Sequence, residues 1–228
     1  MSVFFDELLR QTEGERQELL SIPFVQHGQR GELSLESYLA FLTQAYHHVK
    51  HTTPLLMACG ARIPHELEWL RDAMAHYIEE ELGHQEWILN DIRVCGGDPE
   101  AVRNGTPGMP AELMCAYAYD LIQRRNPVGF LGMVLVLEGT SIKLAIEAAK
   151  NTQRNLCLPD QAFTYLTSHG ALDISHMEFY AGLVNRLRDE ADKKFVIHCA
   201  KRFYKLYGDI FRALPLSFND AVQAAQGG

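Results

Sequence analysis

The sequence predicts a single all-α domain, a bundle of seven to eight helices. Apolar residues recur at spacings of three and four in one segment after another, and no segment alternates residue by residue as a half-buried strand would. Clusters of Gly and Pro punctuate these segments. With 228 residues, 47% of them hydrophobic, the chain is long enough for one large domain with a substantial core. No repeat or linker divides it, so the domain is read as 1–228, with its core over about 15–215 and a disordered tail over about 218–228.

The first helix spans about 2–20, with Phe4, Leu8 and Leu9 inward, and is broken by Pro23 and the stretch from Gly28 to Gly31. Ser34 is placed to cap a second helix that runs to about Cys59 and bends at Pro54. Tyr38, Phe41, Leu42, Ala45, Val49 and Leu55 form its apolar stripe, and it also carries His47, His48 and His51. A long helix follows over about 65–95, stopped by Gly96-Gly97-Asp98-Pro99. A polar loop at 103–110 leads into a helix at about 110–125. Pro127 then opens a helix from 128 to about 153, in which Gly129, Gly132 and Gly139 allow close helix approach. The remainder reads as helices near 160–188, with a break expected at Gly170, and 190–213.

Charge and cysteine content exclude several functions. Acidic residues outnumber basic ones by 29 to 21, a formal charge of -8, and no basic run offers a surface for nucleic acid. The start, Met-Ser-Val-Phe-Phe-Asp-Glu, lacks the features of a secretory signal. Even the apolar stretch 128–138 is too short to span a bilayer and ends in a glutamate. A cytoplasmic protein that engages neither nucleic acid nor membrane is expected. Cys59, Cys95, Cys115, Cys157 and Cys199 are scattered and odd in number, which argues against a disulfide framework and a zinc knuckle.

The chemistry concentrates in three places. His169-Gly-Ala-Leu-Asp173-Ile-Ser-His176 sets a carboxylate between two imidazoles, and at about 100° per residue the three side chains fall within roughly 60° of one helix face. Tyr180 and Leu183 continue that stripe and point it inward. Glu81-Leu-Gly-His84 repeats the carboxylate-x-x-His pattern, although the Glu79-Glu80-Glu81 run by itself would read as a solvated face. Glu138 follows nine apolar or glycine residues, Gly129–Leu137. A carboxylate buried there needs a cation, either a metal or a Lys or Arg from another helix. Together these residues supply three carboxylates and three imidazoles, a donor set that suits iron or manganese. His47 or His51 adds a ligand or stands behind the ligands; both roles stay open. Tyr46 and Tyr180 are candidates for hydrogen bonding behind the ligands or for electron donation, against ordinary aromatic packing. Met133, Phe130 and Trp87 read as core.

These residues and the helix pattern resemble the haem-oxygenase-like di-iron oxidases, which share their seven-helix fold with the TenA thiaminases and the pyrroloquinoline quinone synthases. The resemblance covers roughly 15–215, and His169-x3-Asp173-x2-His176 is its most specific part. It implies a non-haem centre of two Fe(II) ions, with O2 as co-substrate, that oxidises a small organic molecule. Glu81, His84, Glu138, His169, Asp173 and His176 take the ligand roles. Members commonly have a further carboxylate, whereas the second helix here offers no acid beyond Glu36, so one or two irons remain open. A homodimer and an electron donor are the implied partners. The TenA alternative needs a Cys nucleophile and two carboxylates that Gln44-Ala45-Tyr46, Glu138 and Phe203-Tyr-Lys-Leu-Tyr207 do not provide. It ranks second, together with a non-catalytic helical binding protein of the same fold. A haem oxygenase ranks lower, for want of an early histidine followed by a distal glycine motif.

Overall fold

The computed structural model describes residues 3–219, with side chains described throughout except at 141–145 and 169–175. It is all-α, and the expected helices are subdivided into eleven among the described residues. These are α1 (Phe4–Leu20), α2 (Pro23–Arg30), α3 (Leu35–Val49), α4 (Thr52–Arg62), α5 (Glu68–Glu81), α6 (His84–Val94), α7 (Pro99–Asn104), α8 (Met109–Arg124), α9 (Leu131–Leu156), α10 (Thr164–Val184) and α11 (Glu190–Ala213).

The subdivisions have local causes. The second expected helix breaks at Lys50 and His51, not at Pro54, which sits in the first turn of α4 where its missing N–H costs no helical bond. The long helix expected over 65–95 is cut at Leu82 and Gly83, because Gly83 adopts φ 89°, a left-handed conformation open mainly to glycine. Glu81 therefore ends one helix and His84 begins the next. Pro23 and Pro99 each start a short helix within stretches read as breaks. Helix α10 runs without the interruption expected at Gly170. Leu9 is exposed, while Phe4 and Leu8 are buried as expected.

Caps fix the ends. Ser34 Oγ accepts from the Ser37 amide, and Asp189 accepts from the amides of Ala191 and Asp192, which starts α11. The carboxylate of Asp91 in α6 accepts from the Thr164 and Tyr165 amides at 3.1 and 2.8 Å, tying down the start of α10.

Helix α9 lies between α2, α10 and α11, and its residues Leu131, Met133, Val134, Leu135 and Val136 are buried. Close approach to α11 depends on two glycines. A Cβ on Gly129 would lie 2.5 Å from Phe195 Cε1, and one on Gly132 would lie 2.5 Å from the Ala200 amide nitrogen. Gly139 has ordinary clearance and does not serve that purpose. A smaller apolar cluster, including Tyr38, Tyr46, Ile88 and Phe163, joins α3 and α6 to the start of α10. Residues 218 and 219, expected in a disordered tail, are docked: Phe218 bridges to Leu33, and Asn219 bonds to the carbonyls of Gly31 and Glu32. No helix among the described residues is long and apolar enough to cross a membrane.

Candidate metal centre

Helices α5, α9 and α10 converge on three buried or nearly buried donors. Glu81 closes α5, Glu138 interrupts the apolar face of α9, and His176 comes from α10. One ligand atom from each lies within 4.8 Å of the others. His176 Nδ1 is 3.9 Å from Glu138 Oε1. Beside them, His84 Nδ1 is 2.9 Å from Glu81 Oε2, and the imidazole stacks on Trp87 at 4.0 Å. The side chains of His84 and His176 are each 3% exposed, so water does little to screen this group.

Two carboxylates held this close repel. At an effective dielectric of about 20, unit charges about 4.8 Å apart repel by about 3 kcal/mol, which a bound cation or a proton removes. Carboxylate oxygens and imidazole nitrogens, without a thiolate, form the donor set expected for iron or manganese. The described residues therefore fit a metal ion.

The other expected site residues divide. His169 and Asp173 belong to α10, but their side chains lie outside the described residues. His47 and His51 are not brought to the cluster. His47 is buried with Nδ1 3.4 Å from Lys50 Nζ, and His51, at the break between α3 and α4, has Nδ1 3.1 Å from the Tyr119 hydroxyl. Burial, and then the Lys50 ammonium, hold both imidazoles below their ordinary pKa. Tyr46 packs in the smaller apolar cluster, with Lys50 over its ring. Tyr180 is fully buried and donates its hydroxyl to the Leu131 carbonyl at 2.8 Å, which occupies its one proton in joining α10 to α9. Neither tyrosine is among the residues that meet the cavity beside the acids.

Three residues at the site were not singled out for roles in the sequence. Glu80 Oε2 lies 3.1 Å from His176 Nε2, on the far side of the ring from Glu138. Tyr77, 1% exposed, precedes Glu81 by one helical turn, and that spacing was a usable signal. Burial raises its pKa, reinforced by the charge of Glu138, so the phenol stays protonated. His48, rather than its equally buried neighbour His47, meets the cavity, with its ring against Tyr207.

Tyr77, Glu81 and Glu138 form part of the wall of a cavity of about 200 Å³. Most of the remaining wall is apolar, and Phe130 and Met133, read as core from the sequence, belong to it.

The sequence matches the family model described as iron-containing redox enzyme over residues 39–208. No curated protein matches it. Among solved structures, a domain of unknown function with a heme oxygenase-like fold from Shewanella denitrificans superposes with TM-score 0.81 at 22% identity, covering 97% of this chain and 93% of that one. A TenA homologue from Pseudomonas syringae gives 0.78 at 9% identity over 92% and 91% of the two chains. Heme oxygenase-1 from Synechocystis, solved with heme, gives 0.74 at 13% identity over 99% and 96%. At these identities the structural likenesses establish the fold. The family match covers most of the chain, which belongs to the iron-containing redox enzymes of the haem-oxygenase-like superfamily.

Proposed function

We propose that this family member is a non-haem di-iron oxidase or oxygenase that uses O2 to oxidise a small organic molecule held in the cavity. The observation that carries the reading is the convergence of Glu81, Glu138 and His176 within 4.8 Å at the cavity wall. His84 supplies a fourth donor beside them, and His169 and Asp173 complete the set by their spacing to His176. When bound as Fe(II), iron supplies the electrons that activate O2, with an external donor restoring them.

The chain's own groups prepare the site. Glu80 stands at Nε2 of His176 and Glu138 at Nδ1; a carboxylate behind a ligating histidine orients its ring. The Tyr77 phenol offers a proton for hydrogen bonding at the same wall. The apolar lining keeps bulk water from the reacting groups.

A thiol-dependent hydrolase fits less well. No cysteine lines the cavity, and burial pushes Cys59 up to about 12 and Cys95 and Cys115 up to about 11, so none of these three is a thiolate near neutrality.

Anaerobic reconstitution with Fe(II), followed by iron counting, tests the proposal. Two irons per chain are expected, with tight binding lost in Glu138→Ala and in His176→Ala. Unchanged stoichiometry in both variants would show that the ligands lie elsewhere.

A further inference from the structure

Helix α5 carries a second set of donors, outside the cavity wall, that leads from the surface to His176. His76 and Glu80 stand one turn apart, with His76 Nε2 3.5 Å from Glu80 Oε1. The other oxygen of the same carboxylate, Oε2, lies 3.1 Å from Nε2 of His176. Side-chain exposure falls along this row from 48% at His76 to 33% at Glu80 and 3% at His176. One carboxylate therefore spans the distance between a solvent-facing imidazole and a residue of the buried centre.

Both contacts are loose for charge-assisted hydrogen bonds, which run to about 2.7–2.9 Å, and Glu80 Oε2 is buried without accepting one among the described residues. Ligands about 2.1 Å from one ion, at right or tetrahedral angles to each other, lie about 3.0–3.4 Å apart. The pairs His76 with Glu80 and Glu80 with His176 come close to that spacing, so each fits two adjacent corners of a metal ion's shell. The His76 ring is held edge-on by Phe179 of α10 at 4.8 Å. Asp72 and Glu79, exposed on the same helix, add negative charge at the outer end. By contrast, the mainly apolar cavity wall offers no carboxylate before Glu81 and Glu138 among the described residues. A dication crossing the cavity sheds water before a charged ligand replaces it, which is costly; along α5 each step supplies a donor.

We propose that His76 and Glu80 form an outer site that captures a divalent first-row transition-metal ion and passes it, by way of Glu80, to His176 and the buried centre. This rests on the metal centre of the reading above and not on its O2 chemistry. Two protein donors, with water in the remaining positions, bind weakly and release quickly, as a loading site must; a complete protein shell would retain the ion. An imidazole among so few donors favours such ions over magnesium and calcium, which take oxygen ligands.

Stopped-flow loading of the metal-free full chain with Co(II), followed by its visible absorption, provides the test. His76→Phe keeps a ring against Phe179 and removes the nitrogens. It should slow loading at least about tenfold, because the rate at low metal follows occupancy of the outer pair and a lost donor costs about that much affinity. Final stoichiometry and equilibrium affinity at the centre should stay unchanged, which the loss of a ligand of the centre would not allow. Glu79→Gln, which removes one exposed charge from the same helix, should slow loading less than about twofold in physiological salt. With the centre filled, calorimetry should find further Co(II) on one weak site that His76→Phe lacks. Equal loading rates in parent and His76→Phe, equal slowing by Glu79→Gln, or a weak site that His76→Phe leaves intact overturns the proposal. Fe(II) loading and O2 consumption on the same variants separate the two readings. Uptake that depends on His76 without O2 consumption removes the oxidase and leaves this route; O2 consumption with loading indifferent to His76→Phe removes the route and leaves the oxidase.

Discussion

Replacing Glu138 by Gln removes one charge from the centre while keeping the side chain's shape. Its oxygen lies within 4.8 Å of a Glu81 oxygen, where repulsion at an effective dielectric of about 20 amounts to about 3 kcal/mol. Water reaching the Glu138 side chain, which is 13% exposed, screens part of that, leaving a net relief of about 1–2 kcal/mol. In a chain of this size each kcal/mol moves the melting temperature by about 2–4 °C, so metal-free Glu138→Gln should melt roughly 2–8 °C above the parent. With Fe(II) at about 100 times Kd, the parent gains about 2.7 kcal/mol from binding, whereas the variant, lacking a ligand, gains little. The order of the two melting curves therefore reverses when iron is added. Anaerobic scanning calorimetry with and without Fe(II) reads both effects in one experiment. A metal-free variant that melts below the parent, or an iron-induced shift equal in the two proteins, would refute the reasoning: the first would make Glu138 a structural partner, and the second would place the metal elsewhere.

Three further outcomes are expected. Glu80→Gln, by weakening the contact that orients His176, should lower Fe(II) affinity by about 10–100-fold in equilibrium dialysis without changing the number of ions bound at saturation. Gly132→Ala sets a Cβ 2.5 Å from the Ala200 amide nitrogen, and because backbone cannot move aside as a side chain can, a loss of about 1–3 kcal/mol is expected in urea unfolding. Asp91 is buried and its carboxyl is pushed up to about 6, because burial outweighs the hydrogen bonds from Tyr165 and Thr164. A carboxyl raised in the folded state favours folding below about pH 4, and that contribution is lost as pH rises through about 6. Asp91→Asn should remove a downward slope of about 1 kcal/mol per pH unit between those limits, measured by denaturant unfolding across pH, and leave the profile above about pH 7 parallel to that of the parent.

Much of the fold was legible because helical periodicity and chain punctuation are local. The expected helix over 190–213 coincides with α11, whose start is fixed by Asp189 as a cap. Glu138 stood out because a carboxylate at the end of an apolar run needs a partner wherever the run packs, and residues 131–136 of α9 are buried all round. The errors arose where neighbouring helices choose among local options. The histidines at the end of α3 and in the break after it point in different directions, and only the positions of α8 and α11 decide that Tyr119 meets His51 while Tyr207 meets His48. Glu81-x-x-His84 looked like a pair on one helix, yet the left-handed turn at Gly83 makes it a junction between two.

The sequence by itself determined that the chain is helical, where most helices begin and end, and which residues are chemically costly to bury, since these follow from backbone preferences and solvation acting over a turn or two. Tertiary packing alone decided which costly groups meet. It brought Glu81, Glu138 and His176 together from three helices, placed Glu80 behind His176, withdrew Tyr180 into a bond with Leu131, and left the Tyr77 hydroxyl beside the cavity. Distances between residues nearly a hundred positions apart depend on how helices cross, and no local pattern encodes that angle.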